Sequence, residues 1–162
     1  MNYKRIWGLA VLIAFLSFPA SADVVSFMVV ETGLRERTET TQIASVWEGA
    51  LMDVFFEAGH IVTNSPITQM DSRPVNFNDS LRNDFEEAVN GGAEYFILGF
   101  LEFGHNGGRT APVGIQVKIY ETGSGDLIYE QGFPAGTGRS LNDEYRLAQD
   151  TGRIIISNIR GR

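Results

Sequence analysis

The chain has 162 residues, 43% of them hydrophobic and 20% charged, which suits a folded domain and excludes a disordered or collagen-like chain. A formal charge of −7 repels a phosphate backbone and argues against nucleic-acid binding. The absence of cysteine rules out disulfides, thiolate zinc sites, thiol nucleophiles and a lipid-modified cysteine anchor.

Residues 1–22 read as a secretion signal. Lys4 and Arg5 supply the positive start, Ile6 to Phe18 is an almost unbroken apolar run, and Ala20-Ser21-Ala22 offers the small side chains a signal peptidase admits. Cleavage after Ala22 makes Asp23 the first mature residue. The apolar run would rise only about 20 Å as a helix, short of a roughly 30 Å hydrocarbon core. The reading is therefore an exported protein in a bacterial periplasm, with no transmembrane segment after cleavage. Residues 23–162 remain as one α/β domain.

Asp23 to Glu31 (DVVSFMVVE) is apolar at both parities, as a strand buried between two layers must be. Thr32 to Thr38 is a polar, glycine-bearing loop. From about Thr40, Ile43, Val46/Trp47, Ala50/Leu51 and Val54/Phe55 recur with helical period, with Thr40 or Thr41 as N-cap and Gly59 as the left-handed stop. His60 to Asn64 reads as a short strand, and Pro66 to Asn78 as an irregular connection. A second helix starts near Asp79, with Leu81, Phe85 and Val89 on one stripe and Gly91-Gly92 at its end.

Glu94 to Phe103 is again apolar at both parities and belongs in the middle of a sheet. Gly104 to Pro112 reads as a loop. Val113, Ile115, Val117 and Ile119 alternate on one face of the next strand, and Leu127 to Phe133 pairs with it across a turn at Thr122 to Asp126. The last helix, about Ser140 to Ile159, sets Leu141, Tyr145, Ala148, Ile155 and Ile159 opposite Arg146, Arg153 and Arg160. The order β-α-β-α-β-β-β-α predicts an α+β fold, a single mixed β-sheet with packed helices.

The motifs that could carry chemistry are thin. Asp150-Thr151-Gly152 matches the tripeptide of aspartic proteases but lies inside a helical period without a partner triplet. No G-x-S-x-G elbow, P-loop or G-x-G-x-x-G fingerprint is present. His60 and His105 have no ligand at metal-binding spacing, so neither a metal nor another cofactor is expected. The adjacent acids Glu86-Glu87 and Asp143-Glu144 diverge by 100° on their helices and read as solvated charge. Loop chemistry remains: Arg35 and Arg37 in the first loop, His105 and Arg109 in the 104–112 segment. Exposed arginines on glycine-bearing loops of an acidic protein are protein-contact candidates, because arginine is enriched at interface hot spots.

Two stretches resemble a known group. Gly92-Ala93-Glu94-Tyr95-Phe96-Ile97-Leu98-Gly99 is similar to a G-A-D-Y entry into a middle strand. Tyr120-Glu121-Thr122-Gly123-Ser124-Gly125-Asp126-Leu127-Ile128-Tyr129 is similar to a hairpin with a Thr-Gly turn between acids, Ser124 replacing a threonine. Both patterns resemble bacterial envelope domains: the penicillin-binding-protein activator lipoproteins, the periplasmic part of the curli secretion channel and the N-terminal domain of the Tol-system propeller protein. The chain departs from the group in lacking a lipobox cysteine, and its 104–112 segment is too short for membrane hairpins. The resemblance implies a non-catalytic adaptor that docks on another envelope protein. The expectation is therefore a non-enzymatic periplasmic accessory protein with a protein partner. The alternatives are a small periplasmic hydrolase whose carboxylates or histidines meet only in the fold, and a structural subunit of an envelope ring such as a flagellar or secretion base.

Overall fold

A computed structural model of the chain describes residues 22–34, 41–74, 79–106, 109–134 and 140–160. Among these residues the elements follow as β1 (Val24–Thr32), α1 (Gln42–Glu57), β2 (Ile61–Asn64), β3 (Thr68–Met70), α2 (Asp79–Asn90), β4 (Tyr95–Asn106), β5 (Arg109–Glu121), β6 (Leu127–Pro134) and α3 (Leu141–Arg160). The expected order holds with one strand added. β3 lies within the stretch expected to be irregular, and three residues are too few to show a period.

All six strands form one mixed sheet in the order β2-β1-β4-β5-β6. β1 pairs in parallel with β4, and its other edge is covered first by β2 and then by β3, also in parallel. β4, β5 and β6 form an antiparallel meander. This placement explains the two apolar parities of β1 and β4, which are interior strands with a helix layer on each side. Val25, Phe27, Val29, Ile97 and Leu101 join the core under α1 and α3, while Met28, Val30, Phe96, Leu98 and Phe100 join the core under α2. Each such buried large side chain contributes about 1.5–3 kcal/mol relative to exposure.

The helices end as their sequences require. Thr41 caps α1, its Oγ1 accepting the Ala44 N–H at 3.2 Å, and Gly59 follows with φ +92°. At the start of α3, Asp143 Oδ2 accepts the Ser140 N–H at 3.1 Å and Ser140 Oγ accepts the Asp143 N–H at 3.3 Å, a reciprocal capping arrangement. The protease-like tripeptide serves packing. Thr151 and Gly152 are buried, Asp150 is exposed and pairs with Arg153 at 2.8 Å, and a Cβ on Gly152 would stand 3.3 Å from Val54. Small side chains there let α3 approach α1 closely. Nearby, Trp47 Nε1 donates to Glu144 Oε2 at 2.9 Å, both residues being almost wholly buried, so Glu144 is not the solvated charge that its neighbourhood in sequence implied.

Three further readings are corrected. The segment 104–112 is not a loop: β4 continues to Asn106 and β5 begins at Arg109, with Gly104 opposite Ala111 and His105 opposite Thr110. Val113 does not share the buried face of Ile115, Val117 and Ile119 but is 42% exposed. The pairing jumps from Glu102↔Gly114 to Phe103↔Pro112, so Val113 is an unpaired bulge residue turned out of the pleat. Gly104 makes the room, since a Cβ there would come 2.7 Å from Val113 Cγ1. On α2, Ala88 is buried and Val89 is 42% exposed, because the helix lies on the sheet along Leu81, Phe85 and Ala88.

The two stretches that carry the family resemblance brace each other. Thr122 donates from its backbone N–H to the Glu94 carbonyl at 3.0 Å, and from its hydroxyl to the Ala93 carbonyl. Gly125, at φ +76°, closes the β5–β6 turn, its N–H donating to the Glu121 carbonyl at 2.8 Å.

Candidate functional site

The end of the sheet where β1 and β4 stop carries the candidate site. β1 ends at Thr32, opposite Glu102 in the parallel register, and β4 runs on for four more residues. At about 3.3 Å per residue the β4–β5 hairpin therefore projects roughly 13 Å beyond β1. In sheets with parallel strands this end collects the connections that leave the strands and enter the helices, and ligands and partners are commonly met there.

The root of the first connection is built around Glu31. It continues the inward series Val25, Phe27, Val29 and is fully buried, yet it is an acid. Its Oε1 accepts the backbone N–H of Thr41 at 2.8 Å and its Oε2 accepts Gln69 Nε2 at 2.8 Å. One carboxylate thus ties together the end of β1, the start of α1 and β3. A negative charge beside a helix N-terminus is stabilised by the helix dipole as well as by the N–H it accepts. Gly33 follows at φ +78°, and a Cβ there would collide with the Phe103 carbonyl oxygen. The chain thus leaves β1 pressed against β4 and returns at Thr41, clamped by Glu31.

Arg35 and Arg37 fall between those two anchors and lie outside the described residues, as do residues 1–21 of the leader. The backbone of His105 and Arg109 lies in the projecting hairpin, where His105 pairs with Thr110 and Asn106 with Arg109. The sequence candidates therefore belong to two connections rooted at one end of the sheet. On the α2 side of this end, a groove of about 240 Å³ is lined by Thr32, Arg73, Glu102, Gly114, Gln116 and Gly132 among others. The two glycines on neighbouring strands leave it open.

His60 sits elsewhere, at the opposite end of β1. It is buried beside Phe55, with ring centroids 5.6 Å apart, and its Nδ1 is 3.4 Å from Asp23 Oδ2 without a hydrogen bond between them. Among the described residues no group of three or more His, Cys, Asp and Glu side chains is placed to hold a metal ion. No helix among them is long and apolar enough to cross a membrane. Sequence reasoning missed Glu31 and Glu144. The signal for Glu31 was available, because an acid occupied an inward register position of an otherwise apolar strand.

The fold is similar to that of PelC, and weaker matches to two other solved bacterial structures accompany it. PelC from Paraburkholderia phytofirmans, a dodecamer, matches with a TM-score of 0.52 at 16% identity, over 80% of this chain and 84% of that one. The LpoB C-terminal domain from Escherichia coli matches with a TM-score of 0.44 at 14% identity, over 80% and 94%. TolB from Acinetobacter baumannii gives 0.41 at 10% identity, over 88% of this chain and 28% of that one. No curated protein matches the chain. The family described as "Uncharacterised protein" matches residues 24–122, from the first residue of β1 to the turn after β5, and the chain belongs to it.

Proposed function

We propose that this chain is an exported accessory protein of the bacterial envelope that works by binding another envelope protein and not by catalysis. The observation that carries the reading is topological. The connection holding Arg35 and Arg37 and the hairpin holding His105 and Arg109, far apart in sequence, are rooted at one end of one sheet. Arginine at such a rim recognises carboxylates and aromatic faces on a partner, and the packed sheet below holds its anchors in place. Export is supported by where β1 begins. The first sheet-end bond is from the Ile61 N–H to the Asp23 carbonyl at 3.0 Å, so cleavage after Ala22 leaves the sheet intact.

Charge reversal at Arg35, Arg37 and Arg109 should abolish capture of the partner from envelope extracts while leaving the circular dichroism and melting temperature of the domain unchanged. Capture equal to wild type sinks the site assignment. Mass spectrometry of the exported protein should find Asp23 at its N-terminus, and an intact Met1 refutes the export reading.

A second reading, a subunit of an oligomeric envelope ring, is favoured by one observation: the PelC structure that shares this fold is a dodecamer. Light scattering on the purified protein separates it from the adaptor, since a stable large assembly displaces the simpler reading.

A further inference from the structure

His60 is a buried group that the proposed function leaves unused. It is 7% exposed, its ring lies against Phe55, and its backbone N–H donates to the Phe55 carbonyl at 3.1 Å, so packing fixes the imidazole. Its Nδ1 is buried and has no hydrogen-bond partner. A buried polar atom left unpaired costs about 1–3 kcal/mol and calls for a partner. This one faces the Asp23 carboxylate, whose Oδ2 is 3.4 Å away. The two residues stand one step before Val24↔Ile61, the first pair of the β1–β2 register, so neighbouring strands hold them side by side. That separation suits a metal ion between them. Two donors each about 2.0–2.1 Å from a zinc ion, at the tetrahedral angle, lie about 3.3–3.4 Å apart.

A further donor follows from the proposed processing. Cleavage after Ala22 gives Asp23 a free α-amino group, which chelates a metal together with that residue's own carboxylate. The Asp23 carbonyl faces β2, accepting the Ile61 N–H at 3.0 Å, and an extended residue turns its nitrogen toward the same neighbour as its carbonyl. The new amine is therefore formed on the His60 side. Side-chain spacing does not reveal this donor, because it belongs to the backbone and exists only after cleavage. The geometry points to a zinc-type site at the mature N-terminus, made by the Asp23 α-amine, the Asp23 carboxylate and His60 Nδ1, with a fourth position open to water. Amine and imidazole nitrogens beside one carboxylate select a borderline divalent ion over calcium or magnesium, which prefer oxygen shells. The Asp23 side chain is 24% exposed, so an ion enters from that side. Tyr95 nearby is raised above its ordinary value by burial and then by the charges of Asp23, Glu94 and Glu121, and the same negative field favours a cation. The site rests on the processing part of the proposed function and not on the partner. An ion there staples the first mature residue to the start of β2.

Calorimetric titration of the exported protein with zinc chloride, once mass spectrometry has read its N-terminus, should show one ion per chain, and zinc should raise the melting temperature. The Nδ1 resonance of His60 should move on zinc addition, and that of His105 should not. His60→Gln and Asp23→Asn should each weaken binding at least tenfold. A glutamine inserted between Ala22 and Asp23 displaces the amine by one residue without touching the buried imidazole, and it should weaken binding as much. Melting in the presence of a chelator shows which variants are folded, and the insertion decides the matter if His60→Gln is not. Asp23 at the N-terminus with no zinc bound, zinc that moves His105 alone, or an affinity untouched by the insertion would each overturn the proposal and leave the export reading standing. An intact Met1 on the exported protein overturns both.

Discussion

Replacing Glu31 tests whether one buried carboxylate holds the candidate site in place. It is fully buried and accepts two hydrogen bonds, from the Thr41 N–H and from Gln69 Nε2, each 2.8 Å long. A hydrogen bond to a charged group contributes about 1.5–3 kcal/mol. Glu31→Leu removes both and strands two donors, while relieving the cost of a buried charge, for a net loss of about 2–4 kcal/mol. Glu31→Gln preserves the volume, but the two donors face different carboxylate oxygens, so the amide oxygen can stand opposite only one of them while the amide NH2 confronts the other, and about 1.5–3 kcal/mol should be lost. At roughly 4 °C per kcal/mol for a domain of this size, the leucine variant should melt about 8–16 °C early. Urea unfolding should show a lower midpoint with an unchanged slope. Hydrogen exchange should accelerate at Thr41 and Ala44 beyond the global change, and partner capture should weaken with it. If Glu31→Gln unfolds within about 0.5 kcal/mol of wild type and leaves exchange at Thr41 unaltered, the carboxylate does not hold this end of the sheet together.

Three further outcomes are expected. Glu144→Leu should cost about 1–3 kcal/mol by orphaning the buried Trp47 indole N–H, and Glu144→Gln, which keeps an acceptor, clearly less; equal losses in urea titrations would discount that bond. Gly33→Ala combines a left-handed φ with a collision against the Phe103 carbonyl, so it should cost more than the roughly 1 kcal/mol of an ordinary glycine replacement and shift the amide resonances of β4 near Phe103; a neutral variant contradicts the clamped exit from β1. The tyrosines predict alkaline behaviour. Tyr95 is raised above 10.0 by burial and then by the charges of Asp23, Glu94 and Glu121, Tyr120 by burial and then Glu130, and Tyr129 by burial, while for Tyr145 the hydrogen bond to Asp53 leads. The folded state thus keeps protons that the unfolded chain releases, so their contribution to stability is intact below pH 10 and is lost progressively above it. Absorbance titration of the phenolates should give midpoints above 10, and a stability flat from pH 9 to 11.5 refutes the assignment.

Most of the fold was legible in the order of residues because local periodicity reports how many faces of an element are buried. β1 and β4 were readable as interior strands from apolar residues at both parities, α1 from its period and from Thr41 and Gly59 at its ends, and the β5–β6 hairpin from its glycine-bearing turn. Elements too short or too irregular to show a period were not. β3 has three residues, and the bulge at Val113 breaks the alternation that would have revealed how far β4 and β5 extend. The acids show the deeper limit. Glu31 and Glu144 look like any other carboxylates along the chain, and their burial depends on donors 10 and 97 residues away. Periodicity determined which residues face inward, but only the folded sheet decided which distant groups meet, because a hydrogen bond to a buried charge is made by tertiary neighbours. The same holds for the two connections: their composition was written in the chain, and the meeting of their roots, the end of β1 at Thr32 and the β4–β5 hairpin, at one end of the sheet was set by the parallel pairing of β1 with β4.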